Sequence, residues 1–181
     1  MDTDNRHSNV LSEFARTIAT DFPIQEILDH LVARIVDVLP ISGAGVTLIS
    51  AETDPHYIAA SDDSALRFEQ LQTELGEGPC TAAHETGESI AVPDLGSDER
   101  FPAFAPRAFQ EGLMSVFTFP IRQGDNRIGA LDLCRTYRTS VGLLDASAMK
   151  TAQTFANVAA AYLLQGFYFA RPPFVAELAD A

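Results

Sequence analysis

Leu75-Gly76-Glu77-Gly78-Pro79-Cys80-Thr81-Ala82-Ala83-His84-Glu85-Thr86-Gly87-Glu88-Ser89 joins the end of one helix to a glycine-rich hinge, a short capped helix and a strand. Gly76 and Gly78 give the backbone freedom for a sharp turn, and Pro79 suits the first turn of a helix, where its missing N–H is not needed. The segment therefore reads as a lid over one wall of a pocket. Cys80 falls at the start of the lid helix, where the positive end of the helix dipole favours a thiolate and attracts anionic groups. A small buried cysteine in a Gly-Pro turn is also ordinary packing, so the functional reading rests on what surrounds it.

Leading into the lid, Leu66, Phe68, Leu71 and Leu75 keep helical spacing from Ser64 onward. Before them, Ala44 to Ile49 is aliphatic and strand-like, with Tyr57 to Ala60 as a hairpin partner. The chain opens on a polar stretch, residues 1–9, expected to be flexible. A first helix follows over about residues 9–20 through Leu11, Phe14 and Ile18, and a second over about 23–39 from Pro23, with Ile24, Leu28, Leu31, Ile35 and Val38 on one stripe. After the lid, Ser89 to Val92 makes a short strand. The long excursion from Asp94 to Gly112 carries Phe101, Phe104 and Phe109 with Arg100 and Arg107, and loops of such length in compact domains are usually functional. Leu113 to Ile121 and Arg127 to Arg135 form an antiparallel pair around a polar turn. A final helix over about 144–165 places Ala148, Ala152, Phe155, Ala159 and Tyr162 at heptad positions. Residues 166–181, with aromatics around Pro172-Pro173, form a tail expected to dock on the domain or a partner.

The order of elements implies an α+β domain: an antiparallel sheet of five to six strands, terminal helices on one face and lid helices on the other. Its 181 residues suffice for one domain. A net charge of −13 argues against direct binding to nucleic acid or to an anionic membrane. No signal segment and no apolar run long enough to span a bilayer is recognisable, so a cytoplasmic location is expected. The two cysteines then read as free thiols. His7, His30 and His56 form no metal-spaced cluster, and no metal is expected.

Alternation along the strands divides the candidate residues. Val46, Leu48, Phe117, Leu131 and Leu133 are expected against the terminal helices, while Thr47, Thr118, Asp132 and Cys134 are expected on a mixed polar face forming the pocket wall. Asp132 within an apolar run must find a hydrogen-bond partner or shift its pKa. His84 follows Cys80 by one turn, which places the two near one helix face, although a surface histidine is the plainer reading.

These features together resemble a GAF domain. The residues carrying the likeness are Gly76-Glu77-Gly78-Pro79-Cys80, Val92-Pro93-Asp94-Leu95, Asp98-Glu99-Arg100-Phe101-Pro102 with Phe104, Gly112-Leu113-Met114-Ser115-Val116 and Ile128-Gly129-Ala130-Leu131-Asp132-Leu133, spread over roughly residues 10 to 165. The order is similar to the GAF sensors that precede RNA-binding ANTAR modules in actinobacterial antitermination regulators, although the residues after Gln165 are too few for that module. The resemblance implies a small-molecule sensor and dimerisation module in bacterial signal transduction or transcription regulation, without enzymatic activity. Its ligand site would draw on Thr47, Glu77, Cys80, His84, Arg100, Phe101, Phe104, Thr118, Asp132 and Cys134, and its homodimer on Leu11, Phe14, Ile18, Ala152, Phe155, Ala159 and Tyr162. The cofactor is left unknown, and a downstream regulatory protein is a possible partner. The signature associated with cyclic-nucleotide GAF domains is not recognisable, and the adjacent Cys-His pair of tetrapyrrole-binding members is absent. Two alternatives remain: a thiol redox sensor or degenerate free methionine sulfoxide reductase using Cys80 and Cys134, and a structural dimerisation domain with an empty pocket.

Overall fold

The computed structural model describes residues 24–49, 57–136 and 143–170. Leu11, Phe14 and Ile18 lie outside them. Helix α1 (Ile24–Val38) buries Ile27, Leu28, Leu31, Val32 and Ile35, the three- and four-residue spacing of a single helix face. Strand β1 (Gly43–Leu48) is buried at every position, because helices cover both faces of the sheet. Strand β2 (Tyr57–Ala60) precedes helix α2 (Asp63–Leu75), which Asp62 caps by accepting a hydrogen bond from Ala65 N at 2.8 Å. Gly76 ends α2 in the left-handed region, at φ 60°. Helix α3 (Pro79–Thr86) starts on Pro79 as expected and ends at Gly87, φ 72°. Strand β3 (Ile90–Val92), helix α4 (Phe104–Gln110), the long strands β4 (Leu113–Gln123) and β5 (Asn126–Thr136), and helix α5 (Ala146–Ala170) complete the chain order.

The sheet is antiparallel, with strand order β2-β1-β5-β4-β3. One face carries Ala44, Val46, Leu48, Phe117, Phe119, Ile121, Leu131 and Leu133 against α1 and α5, the expected division of the strands. The other carries Val116 and Cys134 against Phe68 and Leu71 of α2 and Phe104 and Ala108 of α4. Burial of this aromatic and aliphatic area, at about 25 cal/mol per Å², supplies the main force holding the layers together. Register places Gly45, Asp132 and Thr118 in one row across β1, β5 and β4.

Two expectations are corrected. Helix α5 continues to Ala170 through Gly166, so the first residues assigned to a tail are helical; a single glycine costs about 1 kcal/mol in a helix, far less than a proline, and Pro172 is the first hard stop in the sequence. Ala152, Phe155 and Ala159, expected at a dimer interface, are at most 3 % exposed and pack in the chain's own core beneath the sheet. The heptad pattern reflects a helix lying on a sheet, a surface that selects the same apolar stripe as a partner helix.

Candidate functional site

Between the sheet and the lid, polar side chains from five elements converge in the interior. Thr47 of β1, Thr118 of β4 and Asp132 of β5 come from the sheet; Glu69 and Gln72 come from α2, and Cys80 from α3. All six are buried, Glu69 and Asp132 to 1 % exposure. Thr118 Oγ1 donates to Asp132 Oδ1 and Thr47 Oγ1 to Glu69 Oε2, both at 2.5 Å, and Gln72 Nε2 donates to Asp132 Oδ2 at 2.7 Å. The Gln72 carbonyl accepts from the backbone N–H of Cys80 at 2.8 Å, satisfying one of the free donors at the start of α3. Gln72 thus links the lid helix to the central strand.

Local sequence makes room for these side chains. A Cβ on Gly45 would fall inside contact distance of Glu69 Oε1 and Cγ, and one on Gly78, whose φ is 153°, would meet the Gln72 amide. Each glycine lies where a polar side chain of α2 crosses the backbone. Along α2, Ala65, Phe68, Glu69 and Gln72 fall on the buried face at the spacing of an apolar stripe, so two core positions are polar.

Burial sets the chemistry. It pushes the Glu69 carboxyl well above its ordinary value, and the neighbouring Asp132 charge pushes it further, with the Thr47 hydroxyl opposing. Asp132 is also raised by burial, but hydrogen bonds from Glu69, Thr118 and Gln72 favour its charged form. Glu69 Oε1 has no partner when both groups are written as carboxylates. One proton held on Glu69 and directed at Asp132 satisfies both acids, since two adjacent buried carboxyls do not both ionise. One carboxyl oxygen each of Glu69 and Asp132 and the Sγ of Cys80 lie within 4.8 Å of one another.

The Cys80 thiol is pushed well up, by burial first and then by the charges of Asp132 and Glu69. This corrects the expectation of a thiolate at the helix start: desolvation and two acids outweigh a dipole contribution of about 0.3–1 kcal/mol. Cys134 is raised in the same way, and it packs with Phe68, Leu71 and Phe104 in the apolar cluster. Both cysteines are free.

The structure gives the remaining expected ligand residues other tasks. Glu77 Oε1 accepts from Ala103 N at 2.8 Å and Phe104 N at 3.0 Å, so it caps α4. Arg100 donates to Ala91 O at 2.7 Å and pairs with Asp98, bracing the β3 edge. Phe101 and Phe104 fill the space between α2, α4 and the sheet, completing the core. His84 is half-buried near the end of α3. Glu69 and Gln72 escaped the sequence reading; their signal was a pair of polar residues on the apolar face of α2. A separate surface cleft of about 650 Å³, lined by Gly87, Ser89, Pro120, Arg122, Gln153 and Asn157 among others, shares no residue with the cluster.

An antiparallel sheet between terminal helices and a lid, with a polar cluster under the lid, defines the class of the domain as α+β with a covered interior site. The sequence model of the GAF domain matches residues 23–163, and the chain belongs to that family. Its fold is similar to the GAF domain of a phosphoenolpyruvate-protein phosphotransferase from Coxiella burnetii, with TM-score 0.67, 15 % identity and coverage of 90 % of this chain and 95 % of that one. It is also similar to free methionine-R-sulfoxide reductase from Neisseria meningitidis in complex with its substrate, with TM-score 0.64, 14 % identity and 90 % of each chain covered. The reduced free methionine sulfoxide reductase of Staphylococcus aureus gives TM-score 0.62 at 18 % identity, over 87 % of this chain and 94 % of that one. No curated protein sequence matches the chain. Among the described residues, no helix is long and apolar enough to cross a membrane.

Proposed function

We propose that this GAF domain is a non-enzymatic sensor in bacterial signal transduction or transcription control, acting in the cytoplasm, and that the cluster of Thr47, Glu69, Gln72, Cys80, Thr118 and Asp132 recognises its ligand. The observation carrying this reading is that the buried Glu69 Oε1 has no hydrogen-bond partner other than the proton shared with Asp132, so two acids face each other in the interior with no cationic or donor side chain between them among the described residues. The cluster is rich in acceptors and contains no arginine or lysine, so it favours a cation or a donor of N–H and O–H groups over an anion. Because the six residues are at most 4 % exposed, a ligand gains access only when α2 and α3 move, and the Gly76–Gly78 hinge gives that motion a place to occur. Binding then biases the lid between two positions, which is the means by which a sensor reports.

The thiol-enzyme reading has less support. Two cysteines with raised pKa values are poor nucleophiles, since the thiolate is the reactive form. A thermal-melting series with small amines and amides tests the sensor reading. A binder at a hundred times its Kd stabilises by about 2.7 kcal/mol, and the reading expects this shift in the wild type and its loss in Asp132→Asn. Equal shifts in both proteins would place the ligand elsewhere.

A further inference from the structure

We propose that Glu69, Cys80 and Asp132 form a binding site for a first-row divalent transition ion. The proposal rests on the reading of this cluster as the sensing site and names the class of its occupant.

Three observations carry it. First, the donor atoms already converge: one carboxyl oxygen each from Glu69 and Asp132 and the Sγ of Cys80 lie within 4.8 Å of one another. An ion bound at about 2.0–2.3 Å from each donor holds its ligands about 3.5 Å apart, so a small inward movement closes the set. Second, Glu69 is 1 % exposed and its Oε1 has no hydrogen-bond partner other than the proton shared with Asp132, the proton an entering cation displaces. Third, the outer partners of a metal site are in place. Thr47 holds the other Glu69 oxygen, while Thr118 and Gln72 each hold one Asp132 oxygen, and these hydrogen bonds fix the direction in which each carboxyl would face an ion.

Size and chemistry narrow the occupant. Phe104, Leu71 and Val116 fill the neighbouring space completely enough to be at most 1 % exposed, so an ion fits under the closed lid more readily than an organic molecule. Two carboxylates with one thiolate suit Fe²⁺, Co²⁺ or Zn²⁺, whereas Mg²⁺ and Ca²⁺ require six or more oxygen ligands. Three protein ligands also leave a fourth tetrahedral position open. Binding converts the Cys80 thiol to a thiolate and removes the proton shared by the two acids, so about two protons leave to solvent as the ion enters. The ion then ties α2, α3 and β5 together at one point, which couples occupancy to lid position. The sequence reading expected no metal because it weighed histidine and cysteine spacing, and Glu69 was not among the residues considered.

The test is anaerobic titration of the reduced, chelator-stripped full chain with Co²⁺, followed by absorbance and by proton release. The expected result is one Co²⁺ per chain with thiolate-to-cobalt charge-transfer absorption, displaced by Zn²⁺. That absorption is lost in Cys80→Ser and survives in Cys134→Ala, and Glu69→Gln weakens binding at least about tenfold, with circular dichroism showing each variant folded. A wild-type protein without charge-transfer absorption overturns the proposal whatever the variants do. So does a signal that follows Cys134 in place of Cys80, or an affinity unchanged in both Glu69→Gln and Asp132→Asn. Failure with Co²⁺ alongside an Asp132-dependent melting shift from an amine or amide would leave the sensor reading standing and remove only the ion.

Discussion

Replacing Glu69 by glutamine should stabilise the metal-free protein, increasingly so as pH rises. In the folded chain the Glu69–Asp132 pair keeps one proton, because burial raises both acids and their proximity raises Glu69 further. The unfolded chain gives that proton up near the ordinary glutamate value of 4.5. Above that value the folded state binds more protons than the unfolded one, so the pair's contribution is full below it and is lost as pH rises toward the folded pKa. One retained proton corresponds to about 1.4 kcal/mol per pH unit for as long as the folded pair holds it, so the comparison is made at about pH 5.5 and about pH 7.5. In Glu69→Gln the side-chain amide donates to Asp132 without a titrating proton, and Asp132 keeps its hydrogen bonds from Gln72 and Thr118. The difference between wild type and variant isolates this pair from the other carboxylates of an acidic chain. Urea denaturation at the two pH values, read as the midpoint with a constant slope, gives the difference directly. A difference that is flat with pH, or one in which the wild type gains on the variant as pH rises, would refute the shared proton.

Three further outcomes follow from packing. Gly45→Ala should cost about 1–3 kcal/mol by overpacking against Glu69, and a double-mutant cycle with Glu69→Ala should recover much of that loss; additive costs would mean that Gly45 does not make room for Glu69. Glu77→Ala removes the cap on α4 and should destabilise by about 0.5–2 kcal/mol, while leaving Co²⁺ affinity within twofold or so of wild type, as measured by the same titration. Phe155→Ala should cost about 3–5 kcal/mol in chemical denaturation, independent of protein concentration, because Phe155 fills the monomer core; a cost that scales with concentration would return Phe155 to an interface between chains.

The sheet and its two faces were legible because strand alternation is a strong local signal: Val46, Phe117, Leu131 and Leu133 separate from Thr47, Thr118 and Asp132 by period two alone. The hinge was legible from Gly76, Gly78 and Pro79, whose backbone constraints act without tertiary help. What sequence could not supply was the partner of Asp132. Glu69 and Gln72 are distant from Asp132 in sequence and reach it only because α2 crosses the row of Gly45, Asp132 and Thr118. Glu77 and Arg100 were read as ligand contacts, and three-dimensional context adds that they hydrogen-bond to a helix N-terminus and a strand edge. Cys80 was misjudged for a related reason: the helix dipole is visible in sequence, but two acids and complete burial are not.

Native and denaturing mass spectra of wild type and Asp132→Asn, both purified without chelators, test most directly whether the buried cluster is the ligand site. The account predicts extra mass on the native wild-type chain that disappears on denaturation and is missing from the variant. A wild-type chain that always appears at its bare mass, or the same extra mass on both proteins, would contradict it.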